Sequence, residues 1–315
     1  MKRLLALLLA AAVLLGGCRS LPPETTQPET TAPIEITQPV TEPTEPTVPQ
    51  IRIPMRSLAV HYIDVGHADC ILLECENSFA LIDGGNAEDG PAIVKYLQDQ
   101  GVQRLNLVVA THPHEDHYGG LATVLKTFSA DKFWGSGFTF TNSYIDAFLR
   151  QVDKQGEELI TPQIGHKFYL GSAVITVLGP LRTDYEDTND TSLVLMVQYG
   201  DTKFLFTGDM ERIAETDLIN SGVDLKADVL KVGHHGSGSS TSYLFLRNVM
   251  PTYGVISLSA DNEYGHPHDA PMSRLRDADV EVYRTDTMGT VIAVSDGHNI
   301  QFTWTNPYGK PWNVQ

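Results

Sequence analysis

The segment LVVATHPHEDHYGG, residues 107–120, gathers the side chains best suited to hold metal ions. A buried strand is expected to end at Ala110, and a tight turn then presents His112, His114, Asp116 and His117. His112 and His114 alternate and point the same way, with Asp116 and His117 following on the opposite side. Two imidazoles beside an Asp–His pair suit two adjacent divalent ions, zinc or manganese. Such ions lower the pKa of bound water and stabilise negative charge developing on phosphorus or on a carbonyl. The expected chemistry is hydrolysis by hydroxide, with no protein nucleophile. Gly119 and Gly120 would let the chain pass close to another backbone before a helix.

Three more polar segments follow strand-like runs. In KFLFTGDM, Asp209 stands just past a strand and is placed to bridge two cations. In DVLKVGHHGSGSSTS, His234 is nearest the strand end and is the expected metal ligand, while His235 orients a neighbour or contacts substrate. Gly236, Ser237 and Ser240 offer donors for phosphate oxygens at a helix start, or Ser239 or Ser240 simply caps that helix. In DNEYGHPHDAP, His266 and His268 bind a leaving group, donate a proton or complete a metal shell. Asp116, His235, His266 and His268 form the expected catalytic set. Of 11 histidines, seven fall in these three clusters, which scattered surface or core histidines would not do.

The elements that must position these residues are short. LAVHYIDV, DCILLEC, FALID, LNLVVA, AVITVLG, SLVLMVQ, KFLFTG, ADVLKVG, YGVISLS, VEVYRT and TVIAVS read as strands. PAIVKYLQDQ and the stretches near 119–128, 143–154, 211–220, 241–249 and 271–277 read as helices. Strands interspersed with helices predict a layered α/β domain over residues 55–315. Cys70 and Cys75 lie in one strand about 16 Å apart, too far for a disulfide, and are expected to be buried thiols.

The first 54 residues differ in composition. Lys2 and Arg3 precede an unbroken apolar run, Leu4 to Leu15, too short to span a bilayer but suited to a signal-peptide core. Leu15-Gly16-Gly17-Cys18 resembles a bacterial lipobox, which implies a signal peptide over 1–17 and a lipid on Cys18; the alternative is an ordinary signal peptide. Several acyl chains hold a protein at a membrane far better than one. Residues 21–50 contain eight Pro, eight Thr and five Glu, with no Lys or Arg. That composition predicts a disordered tether over 18–54. The expected location is the outer face of a bacterial membrane.

The chain has 315 residues and a formal net charge of −17. Residues 1–50 hold three basic and five acidic groups, so the domain keeps a net of −15. A basic nucleic-acid-coating surface is thereby excluded. Two divalent ions would add about four positive charges locally, enough to capture one phosphoester, and the charge favours a small or end-presented ester over a long duplex.

HPHEDH, the TGD strand end and the later histidine resemble the metallo-β-lactamase superfamily. More specifically, HYIDVGHADCILLE, ALIDGG, NDTSLVL, LKVGHHGSGSSTS and EYGHPH resemble the hydrolase domain of ComEC-type competence proteins. The resemblance covers roughly residues 58–305 and implies an αβ/βα four-layer sandwich with the metals at one edge, between two sheets. It extends to no membrane channel, so DNA import is not implied. Where relatives carry D-V-G-Q-G-D, this chain has Asp64-Val65-Gly66-His67-Ala68-Asp69. The superfamily's third histidine for the first metal has no counterpart but His166; Asn189 or Asp190 would take that place, and an Asp oxygen would favour Mn²⁺ over Zn²⁺. A β-lactamase proper is disfavoured, since those enzymes commonly carry Cys where Asp209 stands. The resemblance implies a phosphodiesterase or nuclease acting on DNA or RNA. The alternatives are a cell-wall phosphoester esterase like the choline-phosphate esterases, or a surface-binding module with a vestigial site.

Overall fold

The computed structural model describes residues 54–137 and 142–312. The expected signal peptide, Cys18 and tether lie outside these residues, apart from Pro54. No helix among the described residues is long and apolar enough to cross a membrane.

Two mixed sheets form the centre. The first has eight strands in the order Ile300–Trp304, Val291–Ser295, Leu58–Tyr62, Ile71–Cys75, Ser78–Ile82, Leu107–Ala110, Phe133–Gly135, Leu159–Ile160. The second has seven, in the order Glu281–Arg284, Tyr253–Ile256, Val229–Lys231, Thr202–Phe206, Val194–Tyr199, Ala173–Gly179, Lys167–Leu170. In each sheet one half is antiparallel and the other parallel. Ser78–Ile82, Leu107–Ala110, Phe133–Gly135 and Leu159–Ile160 run parallel in the first. Thr202–Phe206 through Glu281–Arg284 run parallel in the second.

The strands are apolar on both faces, as buried sheets require. Alternate residues feed two different cores. Leu107 and Val109 join Leu195, Val197, Phe204 and Val229 between the sheets. Val108 and Ala110 turn the other way, onto Ile93, Leu97, Leu121, Val124 and Phe148. Behind the second sheet, Leu205 and Leu230 meet Leu218, Phe245, Leu246 and Leu275. Three cores between four layers make the expected αβ/βα sandwich. Cys70 and Cys75 are buried and free.

The helices over Gly90–Asp99, Leu121–Thr127 and Ser143–Lys154 cover the first sheet, and those over Arg212–Ser221, Tyr243–Val249 and Asp269–Asp277 the second. Asn142 starts one of them by accepting the N–H groups of Tyr144 and Ile145 on its side-chain oxygen. Strands Phe133–Gly135, Lys167–Leu170 and Ile300–Trp304 were not legible, being short or half exposed at sheet edges.

The glycine pair does what its place in the sequence implies. A Cβ on Gly120 would sit 2.1 Å from the Gly84 carbonyl oxygen, and one on Gly119 2.4 Å from the Ala87 nitrogen. Two strand-end loops can touch only because both side chains are hydrogen. Gly120→Ala is therefore expected to cost about 3 kcal/mol of unfolding free energy by urea denaturation. Gly137→Ala, whose Cβ meets nothing closer than 3.6 Å, should stay within about 0.5 kcal/mol.

Candidate metal centre

The polar residues gather where parallel strands end. Asp83 follows Ser78–Ile82, and His112 to His117 follow Leu107–Ala110. Asp209 follows Thr202–Phe206, His234 and His235 follow Val229–Lys231, and Ser257 follows Tyr253–Ile256. The carboxyl ends of parallel strands are where open α/β sheets build ligand sites. Here two sheets bring such ends together, and Leu193 N–H donates to the Thr111 carbonyl across the joint at 3.0 Å.

Asp116, His117, Asp209 and His235 each offer one donor atom, all within 4.8 Å of one another. His235 Nε2 lies 3.2 Å from Asp116 Oδ2 and 3.6 Å from Asp209 Oδ2. His117 Nε2 lies 3.4 Å from Asp209 Oδ1 and 3.7 Å from Asp116 Oδ2. Two donors on one tetrahedral zinc with bonds near 2.1 Å stand about 3.4 Å apart, so this spacing fits a shared ion. A second group adjoins it. His112 Nε2 is 3.0 Å from His114 Nδ1 and 3.8 Å from Asp209 Oδ2. Asp209 thus faces both groups, as a bridging carboxylate must.

Supporting contacts set the ring orientations. His117 Nδ1 is 2.8 Å from Asp83 Oδ2, and Asp83 is itself held by the Thr111 N–H and hydroxyl at 2.8 and 2.7 Å. His235 Nδ1 donates to the Ser257 carbonyl at 2.8 Å. Each bond places the proton on Nδ1 and leaves the Nε2 lone pair facing the group. Thr188 Oγ1 meets His114 Nε2 at 2.8 Å, leaving Nδ1 to face His112. Lys231 Nζ lies 2.9 Å from Asp69 Oδ1, both side chains almost wholly buried, and ties the second sheet to the loop entering the first.

The electrostatics call for cations. Burial alone would keep His117 neutral, but Asp209, Asp116 and Asp83 surround it and drive its pKa well above the ordinary value. Burial opposes ionisation of Asp209 too, and His117 and His235 outweigh it, holding that carboxyl well below the usual range. His112, farther from the acids, goes the other way: burial and the charge of His117 keep it neutral. His117 Nε2 and Asp209 Oδ1 are buried without hydrogen-bond partners. Native interiors rarely leave such atoms orphaned, and a divalent ion between them would satisfy both. Donor type, spacing and orphaned atoms together fit two ions.

The family model for the metallo-beta-lactamase superfamily matches residues 63–260. The chain belongs to that superfamily. It is 30% identical over 199 residues to ComE operon protein 3 of Bacillus subtilis (strain 168), covering 63% of this chain and 26% of that protein. To competence protein ComA of Neisseria gonorrhoeae it is 31% identical over 242 residues, covering 76% of this chain and 32% of that one. The domain is thus of the ComEC type, and the chain spans about a quarter to a third of the length of these curated relatives. Among solved structures, the metallo-beta-lactamase fold protein YhfI of Bacillus subtilis matches with a TM-score of 0.50 at 14% identity, over 78% of this chain and all of its own. CmlA, a diiron beta-hydroxylase from Streptomyces venezuelae, matches with the same score and identity over 80% of this chain and 54% of its own. These two likenesses speak for the fold. The site is a candidate metal centre of the metallo-β-lactamase superfamily.

Within this metallo-β-lactamase centre the structure redistributes several expected places. His235, expected as an accessory, stands in the four-donor group. His234, expected as the ligand, bonds Glu211 Oε1 through Nδ1 at 3.0 Å and turns Nε2 toward Asp209 Oδ2 at 3.7 Å. Both residues have left-handed backbone, at φ 48° and 50°, so nearness to the strand end does not decide which ring reaches inward.

Asp190 departs from its expectation as a metal ligand. Its Oδ1 accepts the N–H groups of Glu211 and Ala214 at 2.9 and 3.2 Å, which caps the helix Arg212–Ser221. Asn189 is the neighbour with an open donor: its Nδ2 meets Glu211, and its Oδ1 is buried without a partner. His166 packs against Trp134, away from the centre.

His268 also departs from its expected catalytic place. Its Nδ1 accepts from Gly238 N–H at 2.9 Å and its Nε2 donates to the Tyr264 carbonyl at 3.2 Å, so both nitrogens are occupied in holding loops together. His266 is buried against His67, Tyr264 and His234. Burial and the charge of His67 lower its pKa to about 4. The phosphate-cradle reading of the serines gives way to internal contacts: Ser240 Oγ bonds the Met210 carbonyl, Ser239 Oγ bonds Glu211, and Ser242 caps the helix Tyr243–Val249. Asp83, Asp69, Lys231 and Glu211 are site residues that residue type and spacing do not single out. The first three sit in the segments ALIDGG, DVGHAD and LKVGHH, within two residues of a glycine or histidine.

Asp83→Asn should weaken Zn²⁺ or Mn²⁺ binding about 10–100-fold by calorimetry. Asp190→Ala should leave metal stoichiometry unchanged while lowering stability by about 1–2 kcal/mol; loss of an ion in that variant would instead make Asp190 a ligand.

Proposed function

We propose that this chain is a metal-dependent phosphodiesterase, exported and held at the outer face of a bacterial membrane. The observation that carries the enzymatic part is Asp209, which faces two donor groups at once with one oxygen left unpartnered. Asp116, His117, Asp209 and His235 would hold one ion; His112, His114 and Asp209 would hold the other, with Asn189 Oδ1 the nearest candidate for its remaining place. An amide oxygen in place of a third imidazole favours a harder ion such as Mn²⁺. When bound, such ions lower the pKa of water and neutralise charge developing on phosphoryl oxygens.

The chain's own residues do the rest. Asp83 and Ser257 hold Nδ1 of His117 and His235, so that each Nε2 is the nitrogen that would face the ion. His234, a quarter exposed and tethered by Glu211, is placed to give a proton to the departing oxygen. Ser239 and Asn189 share the same Glu211 oxygen and keep that carboxylate in place.

Nucleic acid is a second reading of the substrate, favoured by the competence-protein relatives. The domain's net charge of −15 opposes it for long duplexes. Residues 1–17 would be a signal peptide, Cys18 the lipidated residue, and residues up to 54 the tether.

EDTA treatment should abolish hydrolysis of bis-p-nitrophenyl phosphate, and Mn²⁺ or Zn²⁺ should restore it; full activity in EDTA refutes the metal mechanism. Asp209→Asn should lower kcat by about 10²–10³-fold. If linear DNA and RNA survive while the model diester is cleaved, the nuclease reading fails. Cys18→Ser should move the protein from the membrane fraction to the soluble one; persistence in the membrane fraction argues against the lipid anchor.

A further inference from the structure

Two buried carboxylates stand behind the four-donor group, and only one of them backs a ring. Asp69, Asp83 and His117 each offer one donor atom, all within 4.8 Å of one another, and none is more than 1% exposed. Asp83 takes Nδ1 of His117 at 2.8 Å. The same nitrogen of His235 has two acceptors within reach. It donates to the Ser257 carbonyl at 2.8 Å, while Asp69 Oδ1 stands at 3.7 Å. Hydrogen bonds to an ionised group are roughly twice as strong as neutral ones. Acceptor strength alone would therefore give His235 to Asp69, as it gives His117 to Asp83.

Lys231 holds Asp69 back. Its Nζ lies 2.9 Å from Asp69 Oδ1, both side chains almost wholly buried, and it donates to the Val232 carbonyl at 3.2 Å. These contacts fix the ammonium between the strand that leads to His235 and the loop that carries Asp69. Asp69 Oδ1 nevertheless makes no aligned hydrogen bond. The pair is held by charge, and that oxygen keeps an open lone pair beside the His235 ring. The Asp69 backbone is pinned separately: its N–H donates to the Asp116 carbonyl at 3.1 Å, and its carbonyl accepts the Gly85 N–H at 2.9 Å. The side chain, and not the loop, is what Lys231 restrains.

We propose that Lys231 is a positioning residue that keeps the Asp69 carboxylate off His235 Nδ1, so that one ion is shared by a carboxylate-backed His117 and a carbonyl-backed His235. The inference rests on the two-ion reading above and assigns what orients one of its rings. Without the ammonium, Asp69 is an unpaired buried carboxylate and captures the His235 Nδ1–H. The ring then leaves Ser257, and its Nε2 swings away from Asp116 Oδ2 and Asp209 Oδ2, now at 3.2 and 3.6 Å. His112 and His114 are oriented by Thr111 and Thr188 instead. The loss therefore falls on the ion of the four-donor group.

The test titrates Zn²⁺ calorimetrically into the metal-free full chain and its variants. The native chain should take up two ions in two steps. Lys231→Met should weaken one step about 10–100-fold and leave the other in place. Lys231→Met/Asp69→Asn removes the competitor together with its partner, leaves no unpaired charge of that pair buried, and should restore the weakened step. A pair that served only to join the sheets would behave otherwise, since breaking its second end restores nothing. If Lys231→Met alone does not fold, Lys231→Gln and Lys231→Gln/Asp69→Asn take the place of these variants, because glutamine keeps a neutral N–H for Asp69 without the charge that holds it. A single variant that binds both ions like the native chain, equal weakening of both steps, or a double variant as weak as the single overturns the inference and leaves the two-ion reading standing. A native chain that takes up fewer than two ions overturns both.

Discussion

Asp69, Asp83 and Asp209 are each at most 2% exposed, and all three lie where the two sheets meet. Isolated buried carboxylates are among the costliest groups a fold can hold. Removing one partner of a buried ion pair costs about 3–5 kcal/mol, against a total stability of only about 5–15 kcal/mol. Each acid must therefore be compensated. Lys231 answers Asp69, and Thr111 with His117 answers Asp83. Asp209 has the Ser192 hydroxyl on its backbone N–H and histidines around its carboxylate, yet one oxygen stays without a hydrogen bond. Asp69 Oδ1 and Asp209 Oδ1 are both buried without a hydrogen-bond partner, but Asp209 stands among the Nε2 atoms of His117 and His235, where a shared cation would complete the compensation.

The rest of the architecture serves that joint. Parallel strands in both sheets end there, so loops from five strand ends converge without long excursions. Glycines at 84, 119 and 120 let those loops pack backbone to backbone, and left-handed conformations at Asp83, His234 and His235 turn side chains inward immediately after a strand. Three apolar cores hold the sheets at fixed separation. A donor spacing within a few tenths of an ångström of a metal polyhedron is credible only on such a support.

The two flanks of the centre differ chemically. On one side His234, Glu211, Ser239 and Asn189 form a hydrogen-bonded patch. On the other, the acidic loop of Asp261 and Glu263 is pinned by Asn262 and His268. His268, which looks from its spacing like a partner in catalysis, works by fixing that loop.

Much was legible before any coordinates. Continuous apolar runs separated by glycine and polar breaks mark strands whatever their neighbours, because burial on both faces leaves no other pattern. HPHEDH is legible because strand geometry and one helical turn place its four side chains locally. Asn142, Ser242 and the glycine pair are likewise local. Their sequence neighbourhood alone determined a layered α/β domain with a histidine-rich metal site. What only the tertiary structure decided depends on distant partners. Asp190 is a helix cap because residues 211 and 214 arrive beneath it. His235 turns inward because the Ser257 carbonyl, 22 residues on, accepts a hydrogen bond from its Nδ1. Asp83 and Asp116 look equally acidic in the sequence, yet one orients a ring and the other faces the ligand group. A side chain's type sets which bonds it can make, but only the packed fold sets which partner is within three ångströms, since hydrogen-bond and ligand energies vanish within an ångström of misplacement.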